Sequence, residues 1–297
     1  MPEVNNEVFP AQLRICKELV NERLNAFFTE GNSYAKLLES MRYSMLSGGK
    51  RIRAVLCMMF CQACGGSIDL ALDAACAIEM LHAYSLIHDD LPCMDDDDLR
   101  RGKPSNHIAF GEATAVLAGD ALQAAAFNVL LNSDLPNDAV VEMGRILANA
   151  AGPDGICGGQ YLDIVNDGSQ IKLDELKEIC ALKTQSLISA AARIGVVAAN
   201  GSSEQVDAAG IYASNIGFVF QVRDDVLDQN ATVEVLGKPI GSDKKNMKTT
   251  FADIMSESEC ERVIRDGTNR AVLAIADVFD DAGFLTWFAH SLAKRKS

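Results

Sequence analysis

The sequence predicts an all-α protein, on three observations. Apolar residues make up 48% of the 297 residues but aromatics only 6%, and Ala and Leu are frequent, a composition suited to helices. Apolar and charged positions recur at helical spacing along most of the chain. No alternating segment bounded by turn residues reads as a strand. The expectation is one domain over residues 1–297, a bundle of about ten or more helices around a deep central cavity, because bundle cores build sites from facing helices.

Taken in order, residues 7–28 and 33–46 carry the first two helical patterns. Ser47-Gly48-Gly49 breaks the chain, and Lys50-Arg51-Ile52-Arg53 opens a third helix to about Cys64, ended by Gly65-Gly66. From Ser67 to about Leu91 runs a long central helix, stopped by Pro92, which lacks a backbone donor. An Ala-rich helix covers 111–131, and Pro136 separates it from one over 138–150. Four glycines and Pro153 within 152–159 predict a loop. Helices are expected over 160–166, 173–199 and 204–229, then a polar loop over 230–248, then helices over 251–281 and 284–295.

A net charge of −14 and a pI near 4.7 argue against nucleic acid as a partner, since phosphate backbones need a basic face. The first twenty residues carry Glu3, Glu7, Arg14, Lys17 and Glu18, so no hydrophobic signal region is read there. No run of eighteen apolar residues occurs, so no membrane span is expected. Nine scattered cysteines fit free thiols in a reducing cytoplasm. Cys61-Gln62-Ala63-Cys64 has metal-site spacing but no second pair, so buried thiols are expected there.

The central helix ends in an acidic run: six of the ten residues from Asp89 to Asp98 are aspartates, followed by Arg100, Arg101 and Lys103. Carboxylates at the mouth of a core helix suit a hard divalent cation. Arginines beside them suit a diphosphate, which they grip in pairs of hydrogen bonds. The alternative is a solvated acidic loop. A second cluster, Asp224, Asp225 and Asp228, ends another apolar helical run. Gly217, Gln221, Asp224 and Asp228 are spaced four, three and four apart, so they share one face. Ile78, His82, Ser85 and Asp89 repeat that pattern on the first helix. Two such stripes could clamp a metal–phosphate group between them. Lys50 and Arg53 after Gly48-Gly49 form a candidate anion site at a helix start. Lys183 among Leu, Ile and Ala reads as a snorkelling side chain, and His82 as a core histidine.

Together these residues resemble the trans-isoprenyl diphosphate synthases, most closely the bacterial-type farnesyl branch. The resemblance runs over nearly the whole chain through GGKRIR (48–53), HAYSLIHDDLPCMDDDDLRRGKPSNH (82–107), AFGEATAVLAGDAL (109–122), GGQYLD (158–163), LKT (182–184), FQVRDD (220–225) with Asp228, and LGKPIGSD (236–243). It implies an all-α homodimer that joins isopentenyl diphosphate head-to-tail to dimethylallyl and geranyl diphosphate. Asp89, Asp90 and Asp95, with Asp224, Asp225 and Asp228, would hold about three Mg²⁺ ions, an expectation of oxygen ligation. Arg100, Lys183, Lys238 and Lys248 would bind the allylic diphosphate. Gly49, Lys50, Arg53, His82 and Arg101 would bind isopentenyl diphosphate. Thr184 and Gln221 would line the reacting centre, where an allylic carbocation forms as diphosphate leaves.

Product length would be set by Tyr84, with Ser85, on the helix before the first motif. Tyr84 lies about 7.5 Å below Asp89 along the axis but about 140° away around it, so the resemblance and not the helical wheel supports this role. An aromatic there resembles synthases that stop at fifteen carbons. The alternatives are a geranylgeranyl synthase, a non-catalytic subunit of the same fold, or a terpene cyclase. All six aspartates are present, against a dead subunit, and Lys50, Arg53 and His82 are superfluous in a cyclase. Gln185-Ser186, Phe251-Ala252 and Arg223 depart from the family pattern, and Arg223 is expected to add a charge near the metals.

Overall fold

The structure, a computed structural model, describes residues 7–29, 33–230 and 248–295. Its helices are α1 (Val8–Asn25), α2 (Ala35–Met45), α3 (Ile52–Ala63), α4 (Leu72–Asp89), α5 (Asn106–Phe110), α6 (Glu112–Leu131) and α7 (Asn137–Ala151). They continue as α8 (Ile156–Val165), α9 (Leu173–Cys180), α10 (Ser186–Ala198), α11 (Ser203–Asn230), α12 (Phe251–Ile254), α13 (Glu257–Ala276) and α14 (Gly283–Ala293). The protein is all-α in class, as the composition predicts.

Helix α4 is the hub. It is buried on every side from Ala74 to Leu81, and it packs on α6, α3 and α1. Met80, Leu81 and Ile87 are each at most 1% exposed; burying each such side chain contributes about 1.5–3 kcal/mol. Helix α11 packs on α13 and α10, and α10 on α3. One large apolar cluster joins most helices, and a smaller one, around Val219, Val222, Phe251, Cys260 and Ile264, ties α11 to α12 and α13.

Four local features differ from the sequence expectation. A two-residue hairpin, β1 (Leu99–Arg100) and β2 (Lys103–Pro104), turns at Arg101-Gly102. Both turn residues have positive φ, 54° and 76°, the geometry that matches the twist of paired strands. Strands this short leave no alternating pattern to read. Helix α8 starts at Ile156, inside the segment expected to be a loop. Its Gly159 is a packing glycine: a Cβ there would lie 2.3 Å from the Lys183 backbone nitrogen. The expected helix over 173–199 contains a π turn, Ala181–Gln185, between α9 and α10. The expected helix over 251–281 breaks at Met255, which is extended, and restarts at Ser256, whose capping box with Glu259 signals a new start.

All nine cysteines are free; of the two expected to be buried, Cys61 is fully so and Cys64 only half-buried. Two helical stretches, Ile68–Asp89 and Glu112–Leu131, are long and apolar enough to cross a membrane by length and composition, although polar residues interrupt both. The first is 72% buried inside the protein, as a core helix is. The second is only 33% buried, and it exposes Val116, Leu117 and Leu131.

Candidate active site

The first acidic motif is shaped by how α4 stops. Pro92 cannot continue the helix. The chain folds back, so that the Asp95 backbone N–H donates to the Asp89 carbonyl at 2.9 Å, and Asp96 takes a left-handed φ of 51°. This brings Asp89 and Asp95 side by side. Burial pushes the Asp89 carboxyl up to about 6, with Lys183 opposing the shift and Asp95 adding to it. Asp90 has another job. It is 2% exposed, and Arg100 of the hairpin clamps it, with Nε 2.9 Å and 3.2 Å from its two oxygens.

The second motif has the same division of labour. Asp225 is 7% exposed and accepts from Gln221 Nε2 at 2.9 Å and from the Phe251 backbone N–H at 2.8 Å. A carboxylate only accepts, so Asp225 fixes the Gln221 amide with nitrogen toward itself. The Gln221 carbonyl oxygen therefore points away, toward the Thr184 hydroxyl at 3.4 Å. Asp224 meets Arg295, which also donates to the Phe220 carbonyl at 2.9 Å and stacks 4.0 Å over the Phe220 ring. Burial raises the Asp224 carboxyl, while Arg295 and Lys50 draw it down. Asp228 is exposed.

Lysines tie the first motif to α8. Lys248 Nζ donates to Asp95 Oδ1 at 2.7 Å and to Asp163 Oδ2 at 3.0 Å, and Lys183 Nζ donates to that same Asp163 oxygen at 2.7 Å. Lys183 does not snorkel to solvent: the π turn carries it inward, to an acid on α8. Burial raises the Asp163 carboxyl, but the two ammonium groups outweigh it and hold the group below its ordinary value.

The basic cluster forms around the break before α3. Gly49 has φ 125°, and a Cβ there would lie 2.8 Å from the Arg101 guanidinium carbon, so glycine allows Arg101 to lie flat against the loop. Arg101 Nη1 donates to the Gly48 carbonyl and to Ser47 Oγ. Arg53 Nη1 is 3.4 Å from His82 Nε2. Burial, then Arg53, holds His82 well below its ordinary pKa, so it is neutral and accepts from the guanidinium. Lys50 is exposed, 5.9 Å from the centre of the Phe220 ring.

Tyr84 is 5% exposed, and its hydroxyl meets the Cys157 thiol of α8 at 3.6 Å. Ser85 is 8% exposed and turns its hydroxyl back to the His82 carbonyl. Lys238 lies outside the described residues. The motif over 236–243 does too.

Arg223 does bring a charge near the second motif, where it bears on Arg295, but Glu261 of α13 pairs with it at 2.6 and 3.0 Å. Three residues in the site were not singled out as ligands from the sequence. Asp163 is a lone acid in a glycine-rich motif. Arg51, whose φ is 52°, forms with Glu79 a buried pair at 2.9 Å beneath the basic cluster. Arg295 follows α14 and meets Asp224 from 71 residues away in sequence. A cavity of about 420 Å³ lined by Asp138, Glu142, Arg145, Arg193 and Asn200 includes none of these residues.

The donors fit a divalent cation. Those facing outward from the two motifs are carboxylate oxygens, and protein cations already stand against two of them, Lys248 on Asp95 and Arg295 on Asp224. Among the described residues no three such side chains enclose a metal by themselves. Mg²⁺ commonly keeps water and substrate phosphate among its ligands, so few protein carboxylates are needed to hold it.

A helical bundle with acidic motifs at the ends of two helices, lysines against the first of them and a basic cluster before α3 suits an enzyme that handles diphosphates with divalent metal. The chain matches the polyprenyl synthetase family over residues 34–270. It is 41% identical over 277 residues to the geranylgeranyl diphosphate synthase of Cyanophora paradoxa, covering 88% of this chain and 92% of that protein. It is 42% identical over 265 residues to the farnesyl diphosphate synthase of Escherichia coli, covering 87% and 88%. The geranylgeranyl pyrophosphate synthetase structure of Pyrococcus horikoshii superposes with a TM-score of 0.87 at 27% identity, over 98% of this chain and 99% of that one. The chain belongs to the polyprenyl synthetase family. It is a prenyltransferase, a trans-prenyl diphosphate synthase of the short-chain type.

Proposed function

We propose that this enzyme condenses isopentenyl diphosphate head-to-tail with dimethylallyl and then geranyl diphosphate, giving (2E,6E)-farnesyl diphosphate. The observation that carries the product length is Tyr84, a buried aromatic below the first motif, reaching from α4 to α8. Identities of 41% and 42% to synthases of either product leave geranylgeranyl diphosphate as the second reading.

Asp89, Asp95, Asp224 and Asp228 would hold Mg²⁺, while Asp90 and Asp225 hold Arg100, Gln221 and α12 in place. When bound, Mg²⁺ supplies the charge that makes diphosphate a leaving group. Arg100, Lys183, Lys248 and Lys238 grip the allylic diphosphate. Lys50, Arg53 and Arg101 grip isopentenyl diphosphate beside Gly49, and neutral His82 orients Arg53. The Gln221 carbonyl oxygen and Thr184 hydroxyl face the allylic cation and stabilise it. The proton lost after condensation goes to the released diphosphate.

The chain acts as one domain, in the cytoplasm, and as a homodimer. The exposed apolar positions of α6, Val116, Leu117 and Leu131, with Val141 of α7, support that assembly. The test is incorporation of labelled isopentenyl diphosphate into an acid-labile allylic product. It should stop with a chelator and return with added Mg²⁺. Incorporation that persists in chelator would refute the metal-assisted reading.

A further inference from the structure

We propose that Cys157 is a second determinant of product length, forming with Tyr84 a bar that closes the floor of the isoprenoid channel. The proposal rests on the reading of Tyr84 as the floor and extends it to the facing wall.

Both α4 and α8 carry an acid toward their C-terminal ends, Asp89 and Asp163. Lys183 serves both, bonding Asp163 at 2.7 Å and opposing the raised pKa of Asp89. The two helices therefore stand together at the diphosphate end. They also meet lower down, where the Tyr84 hydroxyl reaches the Cys157 thiol at 3.6 Å. The depths agree. Tyr84 is five residues before Asp89, about 7.5 Å down α4, and Cys157 is six residues before Asp163, about 9 Å down α8. A phenol rooted on one wall and ending on the other spans the space between them. This also accounts for the angular offset of Tyr84 from Asp89, since the ring points toward α8 instead of straight beneath the aspartate.

The other side of the ring is fixed as well. The His88 imidazole stands edge-on to it, with centroids 5.6 Å apart at 81°. His88 Nε2 donates to the Val116 carbonyl at 3.1 Å, and Gly119 leaves room for it, since a Cβ there would lie 2.1 Å from that nitrogen. With His88 held from α6, the phenol's free direction is toward Cys157, so the side chain at 157 decides whether the bar stays shut. Cys157 is itself exposed, so substitution there does not disturb the core.

The experiment compares products of the full enzyme with Mg²⁺, isopentenyl diphosphate and geranyl diphosphate, by mass spectrometry, for wild type, Tyr84→Ala, Cys157→Ala and the double variant Tyr84→Ala/Cys157→Phe. Tyr84→Ala should raise the ratio of the next longer product to the normal one by at least about tenfold, the scale on which apolar pockets discriminate an added group. Cys157→Ala should shift it the same way by a smaller factor. Cys157→Phe, placing bulk at the same depth from the opposite wall, should return the Tyr84→Ala enzyme to the normal length. If Tyr84→Ala lengthens the product but the double variant keeps the long one, Cys157 is not on the floor and the proposal falls while Tyr84 stands. If neither single variant lengthens it, the Tyr84 reading falls and takes the proposal with it. Lengthening by Cys157→Ala alone would refute the bar, since the phenol would then block nothing.

Discussion

Asp225 repeats on α11 what Asp90 does at the end of α4: each is the second aspartate of its motif, each is buried, and each binds groups of the protein itself. On the proposed reading, the first and last aspartates of each motif, Asp89 with Asp95 and Asp224 with Asp228, are the ones that would meet metal and substrate. Each motif would then be two ligands and one brace.

This division predicts opposite phenotypes. Asp89→Ala and Asp224→Ala should each lower turnover by at least about a hundredfold with the melting temperature nearly unchanged, as expected on losing an electrostatic stabiliser of the transition state. Asp90→Ala should instead cost about 1–3 kcal/mol of stability, because it removes the hydrogen-bonded partner of a largely buried Arg100 and leaves it Asp97 at 3.6 Å. Calorimetry beside steady-state kinetics separates the two. An Asp90→Ala protein that melts like wild type would contradict the brace.

Lys248 stands against Asp95 and competes with any metal there. Lys248→Ala should tighten Mn²⁺ binding to the substrate-free enzyme by about fivefold, the share of a partly buried ion pair of roughly 1 kcal/mol. The same variant should lose activity, since it also removes an allylic-diphosphate contact. Titration followed by electron paramagnetic resonance reads the first effect, and unchanged Mn²⁺ affinity would remove Lys248 from that competition.

The raised Asp89 carboxyl makes metal binding depend on pH. Its folded value of about 6 lies above its ordinary 3.8, so the stability its protonation confers is present below pH about 3.9 and is lost as pH rises through about 6. Above that the metal-free protein carries a buried, ionised Asp89, which a divalent ion relieves. Mg²⁺ should therefore raise the melting temperature more at pH 7.5 than at pH 5.5, and its affinity should fall about tenfold per unit as pH drops below 6. Equal melting shifts at both values would contradict this.

Arg51 and Glu79 hold the basic cluster from below. Their side chains are 5% and 3% exposed, and Glu79 Oε1 also accepts the Ala54 backbone N–H at 3.3 Å. Arg51→Met should cost about 3–5 kcal/mol by leaving the buried Glu79 without its ion-pair partner. Below its melting point the variant should show a raised KM for isopentenyl diphosphate and little change for the allylic substrate. An equal rise in both would mean a general loosening of the fold.

The long helices were legible because apolar burial imposes its period on them, and both acidic motifs because carboxylates rarely follow a buried helix without a cation to meet. What escaped the sequence has physical causes. The glycines around 158–159 looked like a loop, yet Gly159 serves close packing against Lys183. The π turn leaves the apolar period of 173–199 intact, so its effect on Lys183 is invisible before the structure. Asp163 and Glu79 are single acids whose partners lie 20 and 28 residues away, a pairing no local pattern records. The split of each motif into ligands and brace depends on Arg100 of β1 reaching back ten residues to Asp90, and on α12 reaching Asp225.

The most direct measurement is mass spectrometry of the product made by the purified protein from Mg²⁺, labelled isopentenyl diphosphate and either dimethylallyl or geranyl diphosphate. A fifteen-carbon diphosphate is expected from both starters. A twenty-carbon product would keep the metal–diphosphate chemistry and contradict the Tyr84 floor. A folded protein that binds Mg²⁺ and diphosphate yet makes no product from either starter would contradict the enzyme itself.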